Sequence, residues 1–278
     1  MARKTLVNSV LSFLVLFFVS GPHVLGQNSV APAADMSPAE VDRILKAFTA
    51  KETEFRLALN QYSFKRDAVL QSIGMGGQVT GEYKRVSYFT FDDQGNRYEK
   101  ISFFPMPSFS AVTQEDLDDL GGIQPFALEP SKLSKYDIRY VGKEKIDELN
   151  LYVFDVNPKV IPDPKKSKER LFVGRVWVED QDLQIVKTKG KGVPETKINK
   201  FPVVETYREQ FGGRYWFPTY SYADEELIFD SGDVLHVRMK VRYSDFAPAR
   251  ADVKIIEVDE AEAPKKEPKP PANNPNKP

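Results

Sequence analysis

The sequence predicts a mainly β (α+β) fold, in which a large curved antiparallel sheet, or incomplete β-barrel, of about ten or eleven strands wraps around one long N-terminal helix. Two observations predict this fold. One capped amphipathic helical stripe stands near the start of the chain, and short segments of alternating apolar and polar residues follow it between turn residues. One helix on one sheet is the simplest arrangement that buries the apolar faces of both.

The long helix is predicted over residues 38–58. Ser37 can accept a hydrogen bond from a free N–H of the first turn, Pro38 suits the first helical position, and Glu40 completes a capping box. Apolar residues then follow at spacings of mostly three or four, which gives one apolar stripe: Val41, Ile44, Leu45, Phe48, Phe55 and Leu59. A second, short helix is predicted near residues 114–120.

The strands are predicted from strict alternation of residue types, which is clearest over residues 235–243. One face of this segment is apolar and the other carries His236 and basic residues, a pattern typical of an antiparallel strand with one buried face. Strands are predicted near residues 61–72, 78–91, 97–104, 136–142, 150–156, 170–179, 183–190, 203–211, 214–222, 224–229 and 234–244.

Turn residues join these strands into hairpins. Residues 92–96, Gly212-Gly213 and residues 230–233 are rich in Gly, Asp and Asn, the residue types that hairpin turns favour. The glycine-rich stretch 74–81 is also interpreted as a hairpin loop. It does not fit a dinucleotide-binding fingerprint, because Val79 stands where the third glycine belongs and the loop joins two strands.

The first residues have the layout of a secretory signal peptide. Arg3 and Lys4 precede an apolar run of about 14 residues, shorter than the ~20 needed to span a bilayer, and Gly21-Pro22 ends it. We expect cleavage after Gly26 and a periplasmic product. Because the sequence contains no cysteine, we expect neither a lipid anchor nor a disulfide.

The remaining chain divides by composition. Residues 27–36 are predicted to be a linker, 37–250 a single domain, 251–263 a terminal strand or extension, and 264–278 a disordered tail rich in Pro and Lys. Without Arg3 and Lys4 the 39 basic residues fall to 37 against 40 acidic ones, a net charge of −3. That balance predicts no overall attraction for nucleic acid.

No catalytic or metal-binding motif stands out. His236 is the sole histidine after residue 26, no thiol accompanies it, and no G-x-S-x-G elbow is present. We therefore expect no enzyme activity, no cofactor and no transition-metal site. The acidic runs 116–119 and 180–182 are the best calcium candidates. Neither continues as an EF-hand loop, and we interpret both as turn or helix-start residues.

Basic residues cluster on two segments of the predicted sheet. They are Lys165, Lys166, Lys168, Arg170, Lys187, Lys189, Lys191, Lys197 and Lys200. We interpret them as the solvated faces and protected edges of strands. The alternative is a surface for phosphate head groups.

Three stretches resemble a known superfamily. Residues 140–154, 174–189 and 213–219 are similar to the "V-G-x-E-x-I-D-G" hairpin, the "R-x-W-V-D-x-x-x-x-x-I-V-K" hairpin and the "G-x-Y-W-F-P-T" strand of lipoprotein-sorting proteins. This is the superfamily of the periplasmic lipoprotein chaperone LolA, which includes LolB and the N-terminal domain of RseB. The resemblance covers roughly 38–246 and implies an incomplete β-barrel, closed by helices, with a hydrophobic interior for acyl chains. The absence of cysteine sets the chain apart from the lipidated LolB.

The resemblance and the aromatic load, 19 Phe, 12 Tyr and 2 Trp, together predict an apolar interior. The residues expected to face it are Phe89, Phe91, Ile101, Phe103, Trp177, Trp216, Val237 and Met239. One of them raises a difficulty, because Arg175 and Glu179 share the parity of Trp177. Either the strand carries a bulge, or polar groups surround the mouth of a cavity.

The leading hypothesis is therefore a monomeric, non-catalytic periplasmic carrier that holds lipid or lipoprotein acyl chains. The alternative is an interaction or sensor module, similar to RseB, that binds a protein partner such as an envelope membrane protein. A filled core between helix and sheet, rather than an open cavity, would count against the carrier.

Overall fold

The structure, a computed structural model, describes residues 31–32, 36–103, 105–106, 108 and 126–249. The expected signal peptide, the short helix at 114–120, the 251–263 extension and the Pro/Lys tail lie outside the described residues. The elements are β1 (Ala31–Pro32), α1 (Pro38–Leu59), β2 (Tyr62–Ile73), β3 (Val79–Phe91), β4 (Arg97–Phe103), β5 (Tyr136–Ile146), β6 (Leu149–Pro158), β7 (Leu171–Glu179), β8 (Ile185–Val193), β9 (Val204–Phe211), β10 (Tyr215–Ile228) and β11 (Val234–Pro248). A short 3₁₀ helix, Pro130–Lys135, precedes β5.

The strands form one open antiparallel sheet. Its order is β1-β5-β6-β7-β8-β9-β10-β11-β2-β3-β4, so that strands β5 to β11 are neighbours in chain order and the β2–β4 group joins at β11. Its two edges, β1 and β4, do not pair with each other, which leaves the barrel incomplete. The predicted fold class is confirmed.

Helix α1 begins where its capping residues predict. The side chain of Ser37 accepts a hydrogen bond from the Glu40 N–H at 3.2 Å, and the helix ends at Leu59, one residue beyond the predicted end. Its apolar stripe, including Ile44, Phe48 and Phe55, is buried against the sheet. No helix among the described residues is long and apolar enough to cross a membrane.

Several strand boundaries differ from the expected ones, and three of the differences have a clear physical origin or add a strand. The two strands expected at 214–222 and 224–229 are one strand, β10, because Ala223 is buried in the sheet and no turn residue interrupts the pairing with β11. Strand β8 begins at Ile185 rather than 183, because Leu183 has a φ of 51° and belongs to the preceding turn. Two residues of the expected linker form β1, which pairs with Gly142 and Lys143 of β5.

The core has two parts along α1. Ile44 and Phe48, on the first half of the helix, pack against β5–β8, where the rings of Phe48 and Phe154 lie 5.3 Å apart. Phe55 and Leu59, on the second half, pack against β2, β3, β10 and β11. Because both ends of the sheet contact the same helix, the sheet curves around α1. We call the side that faces α1 the inner face and the opposite side the outer face.

Candidate ligand-binding site on the inner face

A buried ion pair separates the two parts of the core. Glu52 of α1 accepts two hydrogen bonds from Arg208 of β9, at 2.7 and 3.0 Å, and both side chains are 1% exposed. The same guanidinium donates to the carbonyl of Phe126 at 2.7 Å and lies 3.9 Å from the ring centre of Phe55. This pair therefore links the middle of α1 to β9 and to the segment before the 3₁₀ helix.

The inner face of β2–β4 carries charged side chains beside its apolar ones. Glu99 accepts hydrogen bonds from Arg66 at 2.8 Å and from Arg85 at 2.7 Å, so two guanidinium groups share one carboxylate. Burial lowers the pKa of Arg66, and the Glu99 carboxylate offsets this only in part. A purely apolar interior, as the sequence predicts, does not extend to this end of the sheet.

Arg97, at the start of β4, closes the C-terminal end of α1. It donates to the carbonyl oxygen of Leu59 at 3.1 Å and to Oδ1 of Asn60 at 3.0 Å, and it lies over the rings of Phe64 and Phe89 at 4.9 and 5.1 Å. A helix leaves its last carbonyls without internal partners, and a basic side chain there satisfies one of them. Burial lowers the pKa of this guanidinium.

A cleft opens beside this end of α1. It has a volume of about 170 Å³ and is lined by Phe55, Arg56, Leu59, Asn60, Phe126, Ala127 and Lys132. Four of its lining residues, which we call its floor, are apolar: Phe55, Leu59, Phe126 and Ala127. Its rim carries Arg56 and Lys132, whose nitrogens lie 2.9 and 3.7 Å from the same oxygen of Glu129. The Glu129 side chain is largely buried, whereas the two cations are partly exposed.

Away from this cleft, large described side chains are packed between α1 and the sheet. The side chains of Phe48, Phe55, Tyr83, Phe154 and Phe217 are fully or almost fully buried there. The cleft is smaller than the roughly 300–1,000 Å³ of pockets that enclose drug-sized ligands. The described residues thus place packed side chains and this cleft side by side on the inner face.

Five of the eight residues expected to face the interior lie on the inner face. They are Phe89, Phe91, Ile101, Val237 and Met239. Val237 and Met239 are buried, Phe89 stacks on Phe64 at 4.7 Å, and Ile101 is 45% exposed at the β4 edge. None of the five lines the cleft. Whether any of them touches a ligand stays a prediction.

Trp177 and Trp216 lie on the outer face, contrary to expectation. They belong to a separate apolar cluster with Leu151, Val153 and Val186. Their strand neighbours Val176, Val178 and Phe217 take the inner positions against α1. The Trp177 indole donates to Glu144 at 2.7 Å, and the Lys187 ammonium lies 4.7 Å from its ring centre. The inner positions beside Trp177 are filled by the smaller side chains of Val176 and Val178.

Phe103 is also on the outer face. The pairing of β3 with β4 shifts between Ser87, which faces Ile101, and Val86, which faces Phe103. Ser102 is therefore an extra residue, a β-bulge, and it reverses the alternation that places Ile101 and Phe103 on one side. Phe103 is 50% exposed there.

The difficulty around Arg175 is resolved by the same change of face. Arg175 points outward with Trp177, away from α1, and forms an ion pair with Asp155 at 2.8 Å. The Glu179 carboxylate accepts from the N–H groups of Gln181 and Asp182, at 3.0 and 2.5 Å. The acidic run after β7 is thus held as a turn.

The other chemical candidates are surface ion pairs. No group of three or more His, Asp or Glu in the described part of the chain could hold a metal ion, and run 116–119 lies outside it. His236 contacts Asp224 at 2.5 Å on the outer face. Several of the clustered lysines face carboxylates: Lys166 with Asp163, Lys187 and Lys189 with Glu205, Lys191 with Glu195, and Lys200 with Asp230.

The sequence contained one signal for the buried ion pair but none for the cleft. Glu52 stands four residues after Phe48 and three before Phe55, which places a carboxylate on the apolar stripe of α1. A charge in that position needs a buried partner. No such pattern marks Arg56, Lys132 and Glu129. The cleft brings together the end of α1 and the segment 126–132, which are far apart in the chain.

Comparison with known proteins gives likenesses in fold. No protein-family model and no curated protein matches the chain. Among solved structures, a DUF1329 family protein from Desulfovibrio piger is 17% identical with a TM-score of 0.38, and the match covers 77% of this chain and 94% of that one. A LolA superfamily protein from Nitrosomonas europaea is 15% identical with a TM-score of 0.30, over 73% and 94% of the two chains.

A third similar structure is a putative outer membrane lipoprotein-sorting protein domain from Vibrio parahaemolyticus, which is 12% identical with a TM-score of 0.34, over 73% of this chain and 93% of that one. The matches thus include the LolA superfamily that the three hairpin stretches resemble. At these identities they concern the fold alone.

Proposed function

We propose that this protein is a non-catalytic binding protein of the bacterial envelope that holds the end of an acyl chain in the cleft beside the C-terminal end of α1. The observation that carries the proposal is the cleft itself. Its floor of Phe55, Leu59, Phe126 and Ala127 lies at the edge of the part of the core that packs against the second half of α1. An acyl chain is the ligand class that such a floor suits, because burial of apolar surface needs no polar partner.

The size of the cleft limits how much of a chain it can hold. Burying one methylene group contributes about 0.8 kcal/mol, so a buried end of about four methylenes supplies roughly 3 kcal/mol before the costs of association. We therefore expect affinities far below those of a carrier that encloses whole chains. We further propose that residues 1–26 direct export to the periplasm and that residues 37–250 are the binding domain.

The proposal is tested by lipid retention and by a neutral probe. Protein purified from the periplasm is examined by native mass spectrometry and by lipid extraction, and binding of the uncharged dye N-phenyl-1-naphthylamine is followed by its fluorescence. We expect acyl lipids in the extract and dye that dodecan-1-ol displaces. A protein that retains no lipid and binds neither compound contradicts the proposal.

Filling the cleft should abolish this binding. Ala127→Leu adds three carbon atoms to a lining residue, and we expect dye binding to be lost while the far-ultraviolet circular dichroism stays unchanged. Leu57→Ala is the control. Leu57 lies on the last turns of α1, next to the lining residue Arg56, but it is 51% exposed and does not line the cleft. Equal binding by wild type and Ala127→Leu would place the ligand elsewhere.

A second candidate function, binding of a protein partner, is favoured by the β4 edge. Tyr88, Tyr98, Ile101, Phe103 and Met106 are each more than 40% exposed, and β4 pairs only with β3 among the described strands. Exposed apolar side chains beside an unpaired strand are typical of protein interfaces. The paired substitution I101K/F103K separates the candidates, since it should abolish capture of an envelope protein and leave dye binding unchanged.

A further inference from the structure

The charged residues that line the cleft, Arg56 and Lys132, are both basic. Arg56 and Lys132 stand on its rim, and Arg97 binds Leu59 and Asn60, two of the residues that line it. Both rim cations pair with the same carboxylate, that of Glu129. The end of a helix adds about half a negative charge, and Arg97 already neutralises one of its carbonyls.

The cations at the rim are also accessible. The side chains of Arg56 and Lys132 are 41% and 49% exposed, whereas that of Glu129 is 10% exposed. Ion pairing with one shared carboxylate leaves N–H groups on each cation to face the solvent, since a guanidinium has five donors and an ammonium three. These donors stand next to the apolar floor.

We propose that the cleft selects amphiphiles with an anionic head group, a phosphate or a carboxylate, whose oxygens bind Arg56 and Lys132 while the adjoining chain lies on the floor. This inference rests on the proposed function and names the ligand class of the same cleft. Arginine and lysine are the side chains that bind phosphate and carboxylate oxygens through charge-assisted hydrogen bonds. An uncharged head group would gain nothing from them.

Three probes separate the head from the chain. Displacement of N-phenyl-1-naphthylamine is measured with dodecyl phosphate, with dodecan-1-ol and with inorganic phosphate. We expect dodecyl phosphate to bind roughly tenfold more tightly than dodecan-1-ol, as two partly exposed ion pairs allow. Inorganic phosphate should not bind over the same concentration range, because it has no chain to occupy the floor.

Substitutions at the cleft should both lower and raise the affinity for dodecyl phosphate. The double substitution R56Q/K132Q should lower the affinity for dodecyl phosphate roughly tenfold, towards that of dodecan-1-ol, and leave the affinity for dodecan-1-ol unchanged. Glu129→Gln should raise the affinity for dodecyl phosphate, because it removes the carboxylate that competes for both cations. A gain of affinity cannot result from misfolding.

The matched control removes the same charge from the same helix. Arg43 and Lys46 are exposed, pair with Glu40 and Asp42, and stand ten or more residues before Arg56, roughly 15 Å or more along the helix. The variant R43Q/K46Q should bind all probes as the wild type does. A loss equal to that of R56Q/K132Q would show a general charge effect and overturn the inference.

The remaining outcomes distinguish this inference from the proposed function. Equal affinity for dodecyl phosphate and dodecan-1-ol overturns the selection of anionic heads and leaves acyl binding standing. Inorganic phosphate that binds as tightly as dodecyl phosphate overturns the inference as well, because the floor then contributes nothing. If neither dodecyl compound binds, the proposed function itself fails.

Discussion

Glu52 and Arg208 are a charged pair in positions that the sequence pattern would give to apolar residues. Glu52 falls on the apolar stripe of α1, and Arg208 comes from a strand 156 residues later. Taking two charges out of water costs several kcal/mol per ion, and their attraction offsets this only with well-aligned hydrogen bonds. The bidentate geometry and the Phe126 carbonyl supply such bonds.

Removing one partner of this pair should therefore be much worse than removing both. We expect Glu52→Gln to lower the free energy of unfolding by about 3–5 kcal/mol, because Arg208 then remains buried without a counter-charge. The double substitution E52L/R208M should restore most of the loss. Urea denaturation followed by circular dichroism measures all three proteins.

The control for this prediction is an exposed acidic residue on the same helix. Glu54 pairs with Lys51 at the surface, and Glu54→Gln should cost less than about 1 kcal/mol. A cost for Glu52→Gln no larger than that of the control would show that the buried pair contributes little.

Asp224 gives the stability a dependence on acid. Partial burial raises its pKa, but hydrogen bonds from His236, Arg238 and Tyr222 outweigh burial and lower the pKa from 3.8 to about 2. A lowered pKa in the folded protein contributes stability that is present above the unfolded value of about 4 and is lost as the pH falls through about 2.

We therefore expect Asp224→Asn to destabilise the protein at pH 5 and to have a smaller effect at pH 2.5. The urea midpoints of wild type and variant at the two pH values measure this difference. Asp137→Asn is the control, since Asp137 is exposed and forms no ion pair with a described residue. A difference between wild type and Asp224→Asn that grows as the pH falls would have the wrong sign for this account.

Strands β7 and β8 approach each other too closely for side chains at one point. Gly174 and Gly190 are paired across the two strands. A Cβ on Gly190 would lie 2.3 Å from the Val173 carbonyl oxygen, and one on Gly174 would lie 2.2 Å from that of Lys189. The glycines in this hairpin are thus required by the neighbouring backbone, and the sequence alone shows only that they stand in strands.

We expect Gly190→Ala to lower the free energy of unfolding by about 1–3 kcal/mol, the usual cost of forcing an extra carbon into a packed site. Gly192→Ala, on the same strand, should be tolerated, because the nearest atom to its added Cβ is a ring carbon of Phe201 at 3.9 Å. Thermal unfolding of both variants measures the difference. Equal effects would contradict the steric explanation.

At the scale of the molecule, the described strands form a sheet with two edge strands, β1 and β4, and a paired centre. β11, β10 and β2 each have neighbours on both sides, whereas β4 has one neighbour among the described strands. Amides on an edge open to solvent with a lower free energy than those in the centre.

Hydrogen exchange measured by mass spectrometry should therefore show the slowest exchange in β10 and β11 and faster exchange in β4. Protection of β4 equal to that of β11 would mean that another segment or another molecule pairs with this edge. Concentration dependence of the exchange in β4 distinguishes the second case from the first.

Local sequence predicts helix α1 but does not predict the face of the sheet on which Trp177 lies. The cap at Ser37, the apolar stripe and the alternation along β11 depend on residues within a few positions of one another. They predict the helix, most strands and the fold class. The face of Trp177 depends on which neighbouring residues reach α1, and the valines beside it do so.

The cleft and its charges depend on tertiary structure for the same reason. The bulge at Ser102 reverses the face of Phe103, and Glu52, Arg208 and Phe126 meet only after β9 and the segment before the 3₁₀ helix reach α1. Hydrophobic period and turn chemistry act over a few residues, and so the sequence determines the elements. Register, bulges and long-range ion pairs are set between elements, and so only the tertiary structure decides which side chains line the site.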